Sequence, residues 1–397
     1  MMIILILFYV LAPAGVIWLC RKFPFLGKIG PILLLYILGV IVGNIGVIPE
    51  NALSLQNTMT SGLIPIAIPM MLFTLNFRKF SIKKSVLTLI CGCVSVAIMV
   101  VIGFLLLRNH LGPDGWKIGG MLAGVETGGT PNMAALQLAF RVPTETYVIL
   151  TTYDMIVCFL YLVFLMSYGI KFFRRILPRT GITATAIAAE KDDTEKKLKE
   201  LDPYVGIFKW KNMKHILVGF LFSLVILAIS FAVAAFAGGG FSRSLGEIMN
   251  GSSFMVVLIL CLTTLGIAAS FLPRVQKLEK SYDGGMYLVY IFSIVIASMA
   301  DLRRIDFSGG LYLLLFVVIV VFGSLIVQTL LSKLMRIDAD TMVISSVSLI
   351  NSPPFVPMIA ASMKNKDAII PGIAVGIVGY AVGNYLGLAV AQLLRIL

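Results

Sequence analysis

Twelve apolar segments follow one another along the 397 residues, at 2–20, 30–48, 61–77, 85–107, 117–139, 145–170, 214–236, 253–271, 285–300, 310–331, 340–363 and 369–395. About 20 apolar residues cross the hydrocarbon core of a bilayer as a helix. Lipid offers the backbone no hydrogen-bond partner, so such segments must pair their own N–H and C=O groups. An all-α polytopic membrane protein is therefore expected, with the lipid bilayer as its first partner. Composition agrees. Hydrophobic residues make up 59% of the chain, against about 45–50% in soluble domains, and charged residues only 13%. The first segment has no basic residue ahead of it, so a retained helix is expected rather than a signal peptide.

Several chemistries are disfavoured at once. The two histidines, His110 and His215, sit at the ends of apolar segments, and no His/Cys/Asp group has the spacing of a metal site. Cys20, Cys91, Cys93, Cys158 and Cys261 all lie within or at the edge of apolar segments and read as small packing residues. No metal, no cofactor and no enzymatic activity are expected. The net charge of +13 does not mark a nucleic-acid surface, because it concentrates in a few loops.

Two segments differ from the rest. Segment 117–139 carries Glu126-Thr127-Gly128-Gly129-Thr130-Pro131-Asn132, and segment 340–363 carries Asn351-Ser352-Pro353-Pro354-Phe355-Val356-Pro357. Neither run fits an uninterrupted helix. The two halves superpose at an offset of 225 residues, which brings the two broken segments together, Met133 onto Met358 and Arg78-Lys79 onto Arg303-Arg304. Paired interrupted segments in corresponding places point to a transporter site. If both are re-entrant hairpins, loops on one side hold 25 Lys/Arg and the other side 7, a clear positive-inside bias. If both cross, the split is 13 to 19. Ten spanning helices, two hairpins and an inverted repeat are expected. The N-terminal repeat is 1–177, a polar cytoplasmic linker covers 178–213, and the C-terminal repeat is 214–397.

Non-helical backbone at membrane depth lines a cavity or is buried in protein. Thr130 before Pro131 and Ser352 before Pro353 read as helix N-caps with proline at the first helical position. Two half-helix starts converging at mid-membrane suit a carboxylate. Gly128, Gly129, Thr130, Asn132, Asn351 and Ser352 are accordingly expected to bind solute. Glu126 and Asp154 are the most deeply placed acids, and such residues mark ion or proton paths. Thr127 accompanies Glu126. Thr151 shares a helix face with Asp154 and would add an oxygen ligand, so these four are the expected ion-coupling residues. Asn384 shares a face with Tyr380 on the last helix. With Gly376, Gly379, Gly383 and Gly387 beside it, close packing is its plainer reading and lining the pathway the alternative.

The runs GGMLAGVETGGTPNMAAL and TTYDM within 119–155, IPIAIPMMLFTLNFRKF at 64–80 and PPFVPMIAASMKNKDAIIPGIAVGIVGYAVGNYLG at 353–387 resemble the YjcL-like membrane proteins, a family of unknown function. That family is similar to the glutamate/sodium symporters and, more distantly, to citrate, bile-acid and cation/proton carriers. The resemblance implies an inverted repeat with a panel and a core, elevator-like alternating access, a homodimer through the panel, and a bacterial plasma membrane. The sequence departs from the family pattern at Asn351-Ser352-Pro353-Pro354-Phe355, where Gly-Gly before Pro-Pro-Thr is usual. The expected function is secondary active transport of a small anionic organic solute, coupled to Na⁺ or H⁺. A channel or export regulator is the alternative. An intramembrane protease would need a companion Gly-x-Gly-Asp, which is absent.

Overall fold

The computed structural model describes residues 2–49, 51–74, 82–178, 210–237, 254–300, 307–363, 365 and 368–397. Most of the polar linker, and the pairs Arg78-Lys79 and Arg303-Arg304, lie outside the described residues. The described residues are helical throughout, with no strand. In chain order the elements are α1 (Met2–Lys22), α2 (Pro24–Ile29), α3 (Pro31–Asn44), α4 (Ala52–Leu72), α5 (Ile82–Leu107), α6 (Gly115–Gly128), α7 (Thr130–Phe140) and α8 (Thr144–Phe164). A π turn (Leu165–Gly169) carries α8 on into α9 (Ile170–Ile176). Then follow α10 (Trp210–Ala237), α11 (Phe254–Ser270), α12 (Pro273–Gln276), α13 (Ser281–Ser298), α14 (Phe307–Leu334) and α15 (Ala339–Ile350). A 3₁₀ turn (Pro353–Phe355), α16 (Val356–Met363) and α17 (Ile369–Ile396) complete the chain. Among the described residues, seven helices are long and apolar enough to cross a membrane. The chain is an all-α polytopic membrane protein.

Each of the twelve apolar segments has a helix, but α4 begins at Ala52, well before the expected 61. The polar run Ser54 to Thr60 is helical because its buried members find partners. Gln56 Nε2 donates to Tyr9 Oη at 2.8 Å and to Ser298 Oγ at 3.0 Å, and Tyr9 and Ser298 share a 2.7 Å bond. This buried knot joins α1, α4 and α13. Close packing completes the group: a Cβ on Gly39 or Gly43 of α3 would overlap the α13 backbone, the small-residue contact that membrane helices favour. α10 and α11 pack on α4 from the other side.

The second group is α5 to α9 with α14 to α17. Its tightest contact is α6 against α17, made through the expected glycines. A Cβ at Gly379, Gly383 or Gly387 would overlap the Thr127, Gly124 or Gly120 carbonyl. The two groups meet mainly where α7 faces α11 and α4, where α17 faces α11, and where α8 faces α3 and α13.

Both broken segments are hairpins. Trp116 near the start of α6 packs edge-on against Phe140 at the end of α7, ring centroids 5.6 Å apart, so the two arms end together. In the second, Arg174 on α9 donates to both carboxylate oxygens of Asp340 at 2.8 and 2.9 Å, and to the Met363 carbonyl at 2.7 Å. Asn365 donates to the same aspartate at 2.9 Å. One guanidinium thus gathers the start of α15 and the end of α16. The first hairpin ends beside the start of α8, and the second beside its far end. The 33 residues between span about 50 Å as helix. The hairpins therefore enter from opposite ends and meet at their tips.

If both are re-entrant, cysteines introduced at Asp114 and Pro143 should react with a membrane-impermeant thiol reagent from one side of sealed vesicles. Cysteines at Met335 and Ser362 should react from the other side. Labelling of 114 and 143 from opposite sides would mean a crossing segment.

Candidate functional site

The tips reverse at two residues in the left-handed region, Gly129 (φ 74°) and Ser352 (φ 83°). At Gly129 the conformation is free of cost because no Cβ is present; at Ser352 it is a strained choice for an L-residue. These residues touch across the gap. A Cβ on Gly129 would lie 2.7 Å from Ser352 Oγ and 3.2 Å from the Tyr380 ring. Thr130 is not the cap that the sequence suggested. Gly129 holds the cap position, Thr130 and Pro131 are the first two helical residues, and no side chain caps the helix. Glycine's left-handed backbone makes the turn one residue early. Ser352 does cap, ahead of Pro353, through its backbone alone. The ungapped offset of 225 also fails here, since Gly129 and Ser352 lie 223 positions apart. The second break takes up the difference in the Pro353–Phe355 turn.

A cavity of about 370 Å³ opens beside the tips. Its polar wall includes Thr130, Asp154, Cys158, Asn351, Ser352 and Tyr380. The apolar wall comes from α8 (Met155, Phe159, Leu162), α13 (Met286) and the second break (Phe355, Met358), and Gly27 with residues 30–33 closes one edge. Behind this wall lies Glu126, fully buried, with neither carboxylate oxygen hydrogen-bonded. One ligand atom from each of Glu126, Asp154 and Cys158 lies within 4.8 Å of the others. Cys158 Sγ donates to Asp154 Oδ1 at 3.7 Å. Two buried acids this close, with no basic side chain beside them among the described residues, are costly to ionise together. A proton or a cation between them removes that cost.

The expected site residues divide. Gly129, Thr130, Asn351, Ser352 and Asp154 line the cavity, and Glu126 stands one layer behind it. Asn351 Nδ2 donates to the Cys158 carbonyl at 3.0 Å, which ties the second tip to α8, while its Oδ1 has no hydrogen-bond partner. The others do not line the cavity and have local or packing partners. Gly128 lies against the Asn132 side chain, and Asn132 Nδ2 donates to the Tyr380 carbonyl at 2.9 Å. Thr127 and Thr151 donate to the carbonyls of Ala123 and Tyr147 one turn back, at 2.7 and 2.8 Å. Asn384 donates to Thr263 of α11 at 3.0 Å and does not line the cavity. Sequence reasoning passed over Cys158 as a mere packing residue, although it follows Asp154 by four positions, the spacing that puts both on one helix face. It also missed the wall from α13 and from Gly27 with residues 30–33, for which a single sequence holds no local signal.

Comparison with known proteins supplies the family. A model described as "Protein of unknown function (DUF819)" matches residues 7–397. The chain belongs to the DUF819 family. It is 27% identical over 353 residues to the "Uncharacterized membrane protein YjcL" of Bacillus subtilis (strain 168), covering 87% of this chain and 84% of that protein. The resemblance drawn from the tip motifs and from 353–387 is thus to the right family. The matched span contains both DUF819 tips, the acid pair and every wall of the cavity.

Gly129→Ala should destabilise the protein by about 1–3 kcal/mol, from left-handed strain plus the close approach of Ser352. Gly62→Ala, where a Cβ meets nothing within 4 Å, should leave the melting temperature unchanged or raise it. Equal effects of the two would remove the tip contact from the account of stability.

Proposed function

We propose that this protein is a secondary active transporter of a small, carboxylate-bearing organic solute, coupled to Na⁺ or H⁺, in a bacterial plasma membrane. One observation carries the reading: two oppositely entering hairpins place their helix breaks together at a cavity whose wall holds Asp154, with Glu126 unpaired behind it. Interrupted helices meeting at mid-membrane are how carriers expose backbone groups to solute and ion. The half-helix α7 starts at the cavity through Thr130 and favours a negative group there. Glu126 and Asp154 are the coupling pair, since an ion between them offsets their mutual repulsion.

The two halves are read as an inverted repeat. In support, the corresponding helices α4 and α13 pack on each other, as do α5 and α14. The group containing both hairpins is the moving core, and the group built on α4 and α13 is the panel. Alternating access is then movement of one group against the other.

Reconstituted into liposomes, the protein should take up a small carboxylate saturably, driven by an imposed Na⁺ or proton gradient. Glu126→Gln should abolish gradient dependence. Non-saturable flux unaffected by that change would replace the carrier with a channel. The ion is identified separately, by melting in NaCl against choline chloride at equal ionic strength. A site occupied at 100 times its Kd adds about 2.7 kcal/mol, and that gain should vanish in Asp154→Asn. If no Na⁺-dependent gain is seen, the coupling ion is the proton.

A further inference from the structure

The cavity says more about its occupant than that it carries a carboxylate. Among the described residues of the wall, Asp154 is the one charged side chain, and no basic group faces it. It is nearly buried, 5% exposed; the Cys158 thiol donates to it weakly, and its other close neighbour is the Glu126 carboxyl group. A solute that was only an anion would enter beside this carboxylate with nothing in the described wall to offset it. The neighbouring Asn351 gives one amide N–H to the Cys158 carbonyl, and its Oδ1 has no hydrogen-bond partner, so an open acceptor stands in the same wall. The hydroxyls of Thr130, Ser352 and Tyr380 in the same wall can donate to a carboxylate but bring no positive charge to set against Asp154. The rest of the wall is apolar, from Phe159, Leu162, Met286 and Met358, and the volume of about 370 Å³ is that of a small-molecule pocket.

We propose that the solute is an apolar α-amino acid, whose ammonium group pairs with Asp154. Its carboxylate lies at the start of α7, as the proposed function assigns it, and its side chain lies against Phe159, Leu162, Met286 and Met358. The inference rests on reading this cavity as the solute site. Asp154, on the wall, then faces the solute on one side and shares the coupling ion with Glu126, behind the wall, on the other.

The test is thermal melting of the purified full-length protein with L-leucine, L-methionine and L-phenylalanine, against 4-methylpentanoate and 3-methylbutylamine at equal ionic strength. The latter two keep leucine's apolar body and lack the amino or the carboxylate group. At least one amino acid should raise the melting temperature. Each one-ended analogue should need at least about tenfold more ligand, the usual cost of losing a charged hydrogen bond. The amino-acid shift should disappear in Asp154→Asn. If that variant does not fold, the wild-type comparison of leucine with 4-methylpentanoate decides alone. Equal shifts from those two would overturn the ammonium contact, and no shift from any of the three amino acids would overturn the class. Failure of the transport reading looks different. Leucine binding without gradient-driven uptake would leave this site standing and remove the carrier. Saturable uptake of a carboxylate lacking an amino group would do the reverse.

Discussion

A backbone that leaves the helix inside a membrane must find its hydrogen-bond partners in protein. The surroundings of the two tips are the answer to that demand. The chain turns at Gly129 and Ser352 in conformations that few residues adopt, and α17 is stripped to glycine along the face that covers the first tip. That lets its backbone lie directly on the carbonyls of Gly120, Gly124 and Thr127. Asn132 reaches the Tyr380 carbonyl and Asn351 the Cys158 carbonyl, so each tip is pinned by an amide side chain to a continuous helix. What is left open between the pins is the cavity.

Much of this arrangement is written locally. Length and apolarity mark twelve helices, and proline with paired glycine or asparagine marks the breaks to within a residue or two. Glu126 and Asp154 stand out because acids are rare in such surroundings. The readings that needed adjusting are those where distant contact overrides local preference. Polar residues from Ser54 to Thr60 read as loop, yet Tyr9 and Ser298 give Gln56 a buried partner. Thr130 reads as a cap, yet a glycine takes that role. Thr127 and Thr151 read as ion ligands by residue type; each gives its hydroxyl hydrogen to a carbonyl one turn back, and the oxygen keeps its lone pairs. Asn384 reads as lining by its spacing from Tyr380, and the direction of its face, toward α11, is set by packing alone.

The acid pair explains why the site tolerates so poor a set of partners. A carboxylate with no hydrogen bond is a liability in a rigid protein, and Glu126 has two bare oxygens. In the transport role proposed above, the same pair of acids selects for a proton or a cation shared between them. Cys158 tempers the cost at Asp154 without satisfying it, because a thiol is a weak donor.

The Arg174 clasp has a mechanical consequence. One guanidinium holds the first turn of α15 and the last residue of α16 to the end of the helix that carries Asp154. A hairpin anchored at both feet is a poor flap, because lifting it breaks charge-assisted bonds at each foot. With the tip also tied to α8 by Asn351, the hairpin and Asp154 form one unit. A binding site that travels without changing shape has the same intrinsic affinity at either end of its journey. In the transport role proposed above, the direction of net movement is then set by the gradients across the membrane, as for a ferry with no preferred shore.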